Sequence, residues 1–343
     1  MDEAKKSKNF MSKLVSRTEF APLLIMIAMI IVVAILQGNF FAPNTLKNTI
    51  ISWTPLILLS MGQAIVIISG GLDMSSGTAM SFMLCAMASI MKKDDPASGV
   101  IAILVAVALM FLIGIVNGLA VGYLRLPPLI ATYATSYIWL GGALFFMPTP
   151  GGECTSWVRV FYNFGSVEGA SEGMKAFGDA CPTAIILIVV GVLIWFFVSK
   201  KKTGRYLYAV GSDRDVAFQS GINSAKIQLK AYMLNAVFVF MTALFYVAQN
   251  QSGSARLGDP LTLQCIASAV VGGIALAGGR GSAYMAIVGA VIMSLVSKLI
   301  YFADIPSAYQ SLVSGIIIIV AIASSAIYAT VNEKAMLKGG KKS

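Results

Sequence analysis

Apolar residues run along this chain in long blocks and do not alternate with polar ones. Phe20 to Leu36 carries no charged or polar side chain, and the stretches Pro182 to Val198 and Ile316 to Ala329 are similar. A bilayer core about 30 Å thick takes roughly 20 apolar residues per helix, with about 17 as the lower limit. Backbone inside lipid must satisfy its own hydrogen bonds, so such spans are helical. A barrel would show alternation at every second residue instead. The pattern predicts ten membrane segments, at 20–36, 49–69, 74–91, 99–121, 129–147, 182–199, 231–249, 262–276, 283–302 and 308–330. Almost no loop separates the second from the third, and the eighth is short; either is a candidate for a broken or re-entrant helix. The expected fold is an all-α polytopic membrane bundle. Its parts are an N-terminal tail at 1–18, a transmembrane domain at 19–331 and a C-terminal tail at 332–343. Two longer connections stand out, an outer loop at 148–181 and a basic inner loop at 199–230.

Composition agrees. Of 343 residues, 57% are hydrophobic and 12% charged, with mean hydropathy +0.82; soluble domains carry about 25% charged residues. The net charge of +10 would point to nucleic acid in a soluble protein. In a membrane protein it follows from the retention of Lys and Arg on the cytoplasmic side, and no nucleic acid is expected. With the N-terminus inside, eighteen of the 25 basic residues fall in inner segments, and both termini come out cytoplasmic. The outer side keeps Lys47, Lys92, Lys93, Arg159, Lys175, Arg256 and, near a helix end, Lys298. The first apolar block lacks a small-x-small cleavage pattern and is expected to be an uncleaved span.

Several chemistries are disfavoured. The chain has no His, the commonest general base and metal ligand. Its four cysteines, Cys85, Cys154, Cys181 and Cys265, form no C-x-x-C pair, so neither a metal site nor a redox motif is expected. No G-x-x-x-x-G-K-[ST] loop occurs, and no cofactor is expected. Gly169–Gly173 matches G-x-S-x-G, but no strand precedes it and no His is available as base.

Polar residues within apolar segments are better candidates, since such groups face a bundle interior or a solute path. They are Gln63, Asn117, Thr132, Tyr133, Asn235, Gln249, Asn250 and Gln264. Ser69–Gly77 adds Asp73 and Ser75, for which helix capping competes with solute contact. A neutral polar lining suits a hydroxylated solute. Gly114, Gly118 and Gly122, and Ser282, Ala286, Ala290 and Ser294, form small-residue faces that favour close packing within the chain. In the inner loop, Asp213 to Ser220 predicts a short helix closed by Gly221. Its apolar Val216, Ala217 and Phe218 suit either a partner's groove or the lipid surface. Cys154 and Cys181 share the outer loop, where a disulfide would persist.

Taken in order, Ile67–Gly77, Gly118–Pro128, Thr203–Gly211, Ser220–Asn223, Ala269–Gly273 and Gly278–Ser282 resemble the permease subunits of ribose/galactose-type sugar ABC importers. The resemblance covers most of the chain. It implies a second permease subunit, identical or different, two cytoplasmic ATPase domains and an extracytoplasmic sugar-binding protein. It also implies a coupling helix from Gly211 to Gly221, with Asp213, Asp215 and Phe218 at the ATPase, and no catalysis by this chain. Two features depart from the family: Leu261–Gln264 lacks the acidic pair often found before the eighth span, and the outer loop is longer. Importers of autoinducers, polyols and nucleosides share much of the pattern. A stand-alone secondary transporter and an intramembrane enzyme are the rival classes.

Overall fold

The computed structural model describes residues 20–162 and 183–304, with isolated positions from 306 to 319. Twelve helices and no strand occur among the described residues. They are α1 (Phe20–Leu36), α2 (Pro43–Ile68), α3 (Ser76–Ile90), α4 (Pro96–Gly122), α5 (Pro128–Phe146), α6 (Ser156–Tyr162), α7 (Thr183–Lys200), α8 (Lys202–Ser212), α9 (Arg214–Gln219), α10 (Ser224–Asn250), α11 (Asp259–Val271) and α12 (Ala283–Phe302). Six of them, α2, α4, α5, α7, α10 and α12, are long and apolar enough to cross a membrane. The shorter apolar helices are α1, α3 and α11. Most of the tenth expected segment, both tails, Gly169–Gly173 and Cys181 lie outside the described residues.

Local chemistry sets the helix ends. Proline opens α2, α4 and α5, where a missing N–H costs nothing and φ is preset. Asp95 caps α4 by accepting from Ala97 N, and Asn223 caps α10 by accepting from Lys226 N. Outward faces stay apolar, as at Ile31, Leu104, Ile130 and Phe145, which suits lipid.

The interior is organised around α10. Gly114 and Gly118 of α4 abut Met233 and Leu229, and Gly122 faces the Ala225 carbonyl. The expected small-residue face thus packs within the chain. A Cβ on Gly62 of α2 would press on Phe238. The α11–α12 pair is equally close: Gly272 sits against the Met285 carbonyl and Gly289 against that of Ser268.

The eighth expected segment becomes a half helix. After α10 the chain pairs with the segment that follows α5, Gly253 N donating to Gly151 O at 2.7 Å and Gly151 N to Gly253 O at 3.1 Å. Gly253 lies against Cys85 and Ala88, whereas Gly258 lies against Gly77 and donates to Ser81 Oγ. The connection therefore descends along α3 from Ala88 to Gly77, about 16 Å at 1.5 Å per residue. Consequently α11 starts level with the start of α3, where Thr262 Oγ1 accepts from Gly77 N at 3.1 Å. Its 13 residues are about 20 Å long.

Candidate solute path and coupling surface

The break between α2 and α3 is held by polar groups from four helices. Asp73 Oδ1 accepts from Ser75 N at 2.8 Å and Ser75 Oγ at 2.7 Å. Asp73 Oδ2 accepts from Asn235 Nδ2 of α10 at 2.7 Å, and that amide also donates to Ser76 Oγ. With its amide oriented to satisfy both groups, Gln63 donates to Asp73 O at 3.2 Å and accepts from Asp73 N at 3.1 Å. Asn117 of α4 donates to Ser75 Oγ at 2.8 Å and accepts from Thr135 Oγ1. Thr132 of α5 donates to Leu72 O and accepts from Met74 N. Tyr232 OH donates to Leu72 O at 3.0 Å.

Six expected path residues, Gln63, Asp73, Ser75, Asn117, Thr132 and Asn235, thus form one network. All are at most 3% exposed. Their hydrogen bonds go to one another and to the broken backbone, which needs partners where no water reaches it.

The other four diverge, Asn250 being the exposed last residue of α10. Tyr133 lies on the outside of α5, 49% exposed, paired with Tyr137 through hydroxyls 2.7 Å apart. Gln249 is half-buried near the end of α10 and bonds to Tyr162. Gln264 is half-buried on α11 and lines a recess of about 410 Å³ between α2, α10, α11 and α12. The sequence singled out none of the recess's other members for solute contact. Lys298, a lone ionisable group within an apolar segment, carried the signal that could have found them.

Cys154 is buried, its Sγ 3.7 Å from the Thr155 carbonyl, and burial pushes its thiol up to about 11. Cys181, the other half of the expected bridge, lies outside the described residues.

The 199–230 loop contains two helices where the sequence predicted one. Helix α8 covers 202–212, with Leu207 and Val210 buried. Asp213 ends it and caps α9, its Oδ1 accepting from Asp215 N and Val216 N at 2.9 Å. Gly221, at φ +80, follows α9 in the left-handed region that favours glycine. On α9, Ala217 is 4% exposed while Val216 and Phe218 are 57% and 65% exposed. Arg214 anchors this helix by donating from Nη2 to Gly122 O at 2.8 Å. Burial and the neighbouring Arg125 lower its guanidinium from the usual value.

Beneath α8 lies a backbone junction. Gly211 faces the Ile68 carbonyl at the end of α2, and a Cβ there would also come within 2.7 Å of Gly279 N. Gly279 N donates to Ile68 O at 3.0 Å. Gly70, Gly278 and Gly279 all have positive φ, and a Cβ on Gly278 would lie 2.7 Å from Gly211 O and 2.9 Å from Gly70 Cα. The ends of α2 and α8 and the α11–α12 turn thus meet backbone to backbone, with the Ser212 hydroxyl beside Gly279. Tyr208 OH adds a bond to Gly281 O at 2.7 Å.

The family described as branched-chain amino acid transport system / permease component matches residues 45–322. The ribose import permease protein RbsC of Escherichia coli (strain K12) is 28% identical over 88% of this chain and 91% of its own length. The galactose/methyl galactoside import permease protein MglC of Salmonella typhimurium is 26% identical, covering 92% of this chain and 95% of its own. The autoinducer 2 import system permease protein LsrC of Enterobacter sp. (strain 638) is 26% identical over 90% and 87%. No solved structure matches. The match over most of the chain, and its apolar helices, place the protein in the branched-chain amino acid transport system / permease component family.

Proposed function

We propose that this chain is the membrane-spanning permease subunit of an ATP-binding-cassette importer in a bacterial inner membrane. The solute is a monosaccharide of the ribose or galactose type, delivered by an extracytoplasmic binding protein. The chain works beside a second permease subunit, and cytoplasmic ATPase subunits hydrolyse the ATP. Both termini and the 199–230 loop face the cytoplasm. Ten spans complete the bundle, the last within 308–330.

The observation that carries this function is the α8–α9 surface. Val216 and Phe218 stand out from a short helix that is too short to span a membrane and is anchored by Ala217 and Arg214. An apolar pair on such a helix suits a groove on a partner protein. The root of α8 is the junction where α2, α11 and α12 end, so a partner that shifts α8 pushes directly on those helices. Closure of the ATPase subunits then changes which side of the membrane the path opens to, provided the partner contacts differ between the two states.

The test is uptake of labelled ribose and galactose into liposomes holding the complete transporter and its binding protein. ATP-dependent uptake is expected. Phe218→Asp is expected to lower it at least tenfold with the folded complex still formed. Unchanged uptake in the variant overturns the coupling role. Uptake by this chain alone, without ATP, favours a stand-alone transporter.

A further inference from the structure

The recess between α2, α10, α11 and α12 differs in kind from the Asp73 network. Gln37, Trp53, Gln264, Ser294, Ser297 and Lys298 line it, and none of its described lining residues is acidic. Several of its polar groups are unspent. Gln37 Oε1 is buried without a hydrogen-bond partner. Ser297 Oγ donates to Met293 O within its own helix and keeps its acceptor lone pairs. Tyr246 and Tyr301 add ring surface beside that of Trp53. Polar atoms that border open volume are available to a solute's hydroxyls as partners.

Lys298 completes the pattern. Its Nζ donates to Thr49 Oγ1 at 2.8 Å and stands 5.6 Å from the centroid of the Trp53 ring and 5.0 Å from that of Phe40. An ammonium held this way orders the indole beside the recess. It also puts a positive charge at a site with no acidic lining, which disfavours cationic solutes.

The position of the recess matters as much. Its lining comes from the end of α2 far from Ile68, from the C-terminal half of α12 and from α11. The opposite ends of these same helices meet at the Gly70–Gly211–Gly278 junction. Trp53 and Ile68 are separated along α2 by about 22 Å, at 1.5 Å per residue. The recess therefore lies at the far ends of the elements that the α8 root touches.

We infer that this recess is the site where the solute is held in transit, and that it takes a neutral polyhydroxylated ring. Gln264 and the two serines bond its hydroxyls, and the aromatic rings cover its apolar face. The inference rests on the importer function proposed above and specifies where that function acts.

The experiment uses the complete transporter in liposomes, with labelled ribose and galactose as probes, and reads solute moved per ATP hydrolysed. Gln264→Leu nearly keeps the volume and removes the amide; the ratio is expected to fall about tenfold, and Gln264→Asn is expected to restore part of it. A wild-type ratio in Gln264→Leu overturns the recess and leaves the importer standing. If wild-type transporter shows no ATP-dependent uptake, the importer function itself fails. Should Gln264→Leu prevent assembly, Ser294→Ala with Ser297→Ala decides by the same ratio: a lowered ratio supports the site, and an unchanged one overturns it.

Discussion

At the scale of single residues, chemistry separates groups that hold the fold from those open to a solute. Asn235 shows the first kind. It is 1% exposed, and its amide serves Asp73 Oδ2 and Ser76 Oγ together. Asn235→Ala leaves two buried polar groups without their donor, and each such loss costs about 1–3 kcal/mol. The variant is expected to melt several degrees lower in detergent, measured by intrinsic fluorescence. A melting point equal to wild type would show that the Asp73 carboxyl does not depend on this bond. Gln264 shows the second kind, because its half-buried amide borders open volume. From sequence alone the two kinds look alike, as neutral polar residues in apolar runs. Periodicity says that a residue faces the interior; it does not say whether the space beyond holds a neighbouring helix or a void.

At the scale of elements, helix positions are legible because their signals are local. Pro43, Pro96 and Pro128 mark starts, and the hydrophobic blocks between them are long. Less local features escape. Helix α8 is one, since Lys202, Gly204 and Arg205 mask the buried spacing of Leu207 and Val210. The start of α11 level with that of α3 is another, because it depends on Gly258 meeting Gly77, far apart in the chain. The recess is a third, with its lining drawn from separated helices. The glycine junction makes its own prediction. Gly211→Ala drives a methyl into the Ile68 carbonyl and Gly279 N. Overpacking of this kind costs about 1–3 kcal/mol, and here it also wedges α8 away from the ends of α2 and α12. Sugar uptake per ATP is expected to fall several-fold or more. Gly141→Ala, in the middle of α5 with nothing within 4 Å, is the comparison. It is expected to leave both uptake and melting temperature near wild type, since Ala is the better helix former. Equal effects from the two substitutions would remove the junction from the coupling route.

At the scale of the whole molecule, the elements fall into an order with a direction. One end carries the apolar pair of α9 and the glycine junction; toward the other lie the recess and the paired Gly151–Gly253 backbone. The proposed coupling has a continuous route to the recess, since α2 and α12 run unbroken from the junction into its lining. That order works for import only if α9 faces the cell interior, where ATP is made, and the 151–153 loop faces outward. The charge distribution predicts this sidedness, because Lys200, Lys201, Lys202 and Arg205 cluster next to α8. A cysteine introduced at exposed Gln219 is expected to react with a membrane-impermeant maleimide only in inverted vesicles. One introduced at exposed Asp94 is expected to react only in right-side-out vesicles. The native Cys85, Cys154 and Cys265 are buried, and Cys181 is replaced by serine in both variants to remove its background. Labelling of Gln219→Cys from outside would turn the molecule over, leaving α9 where no ATPase could reach it.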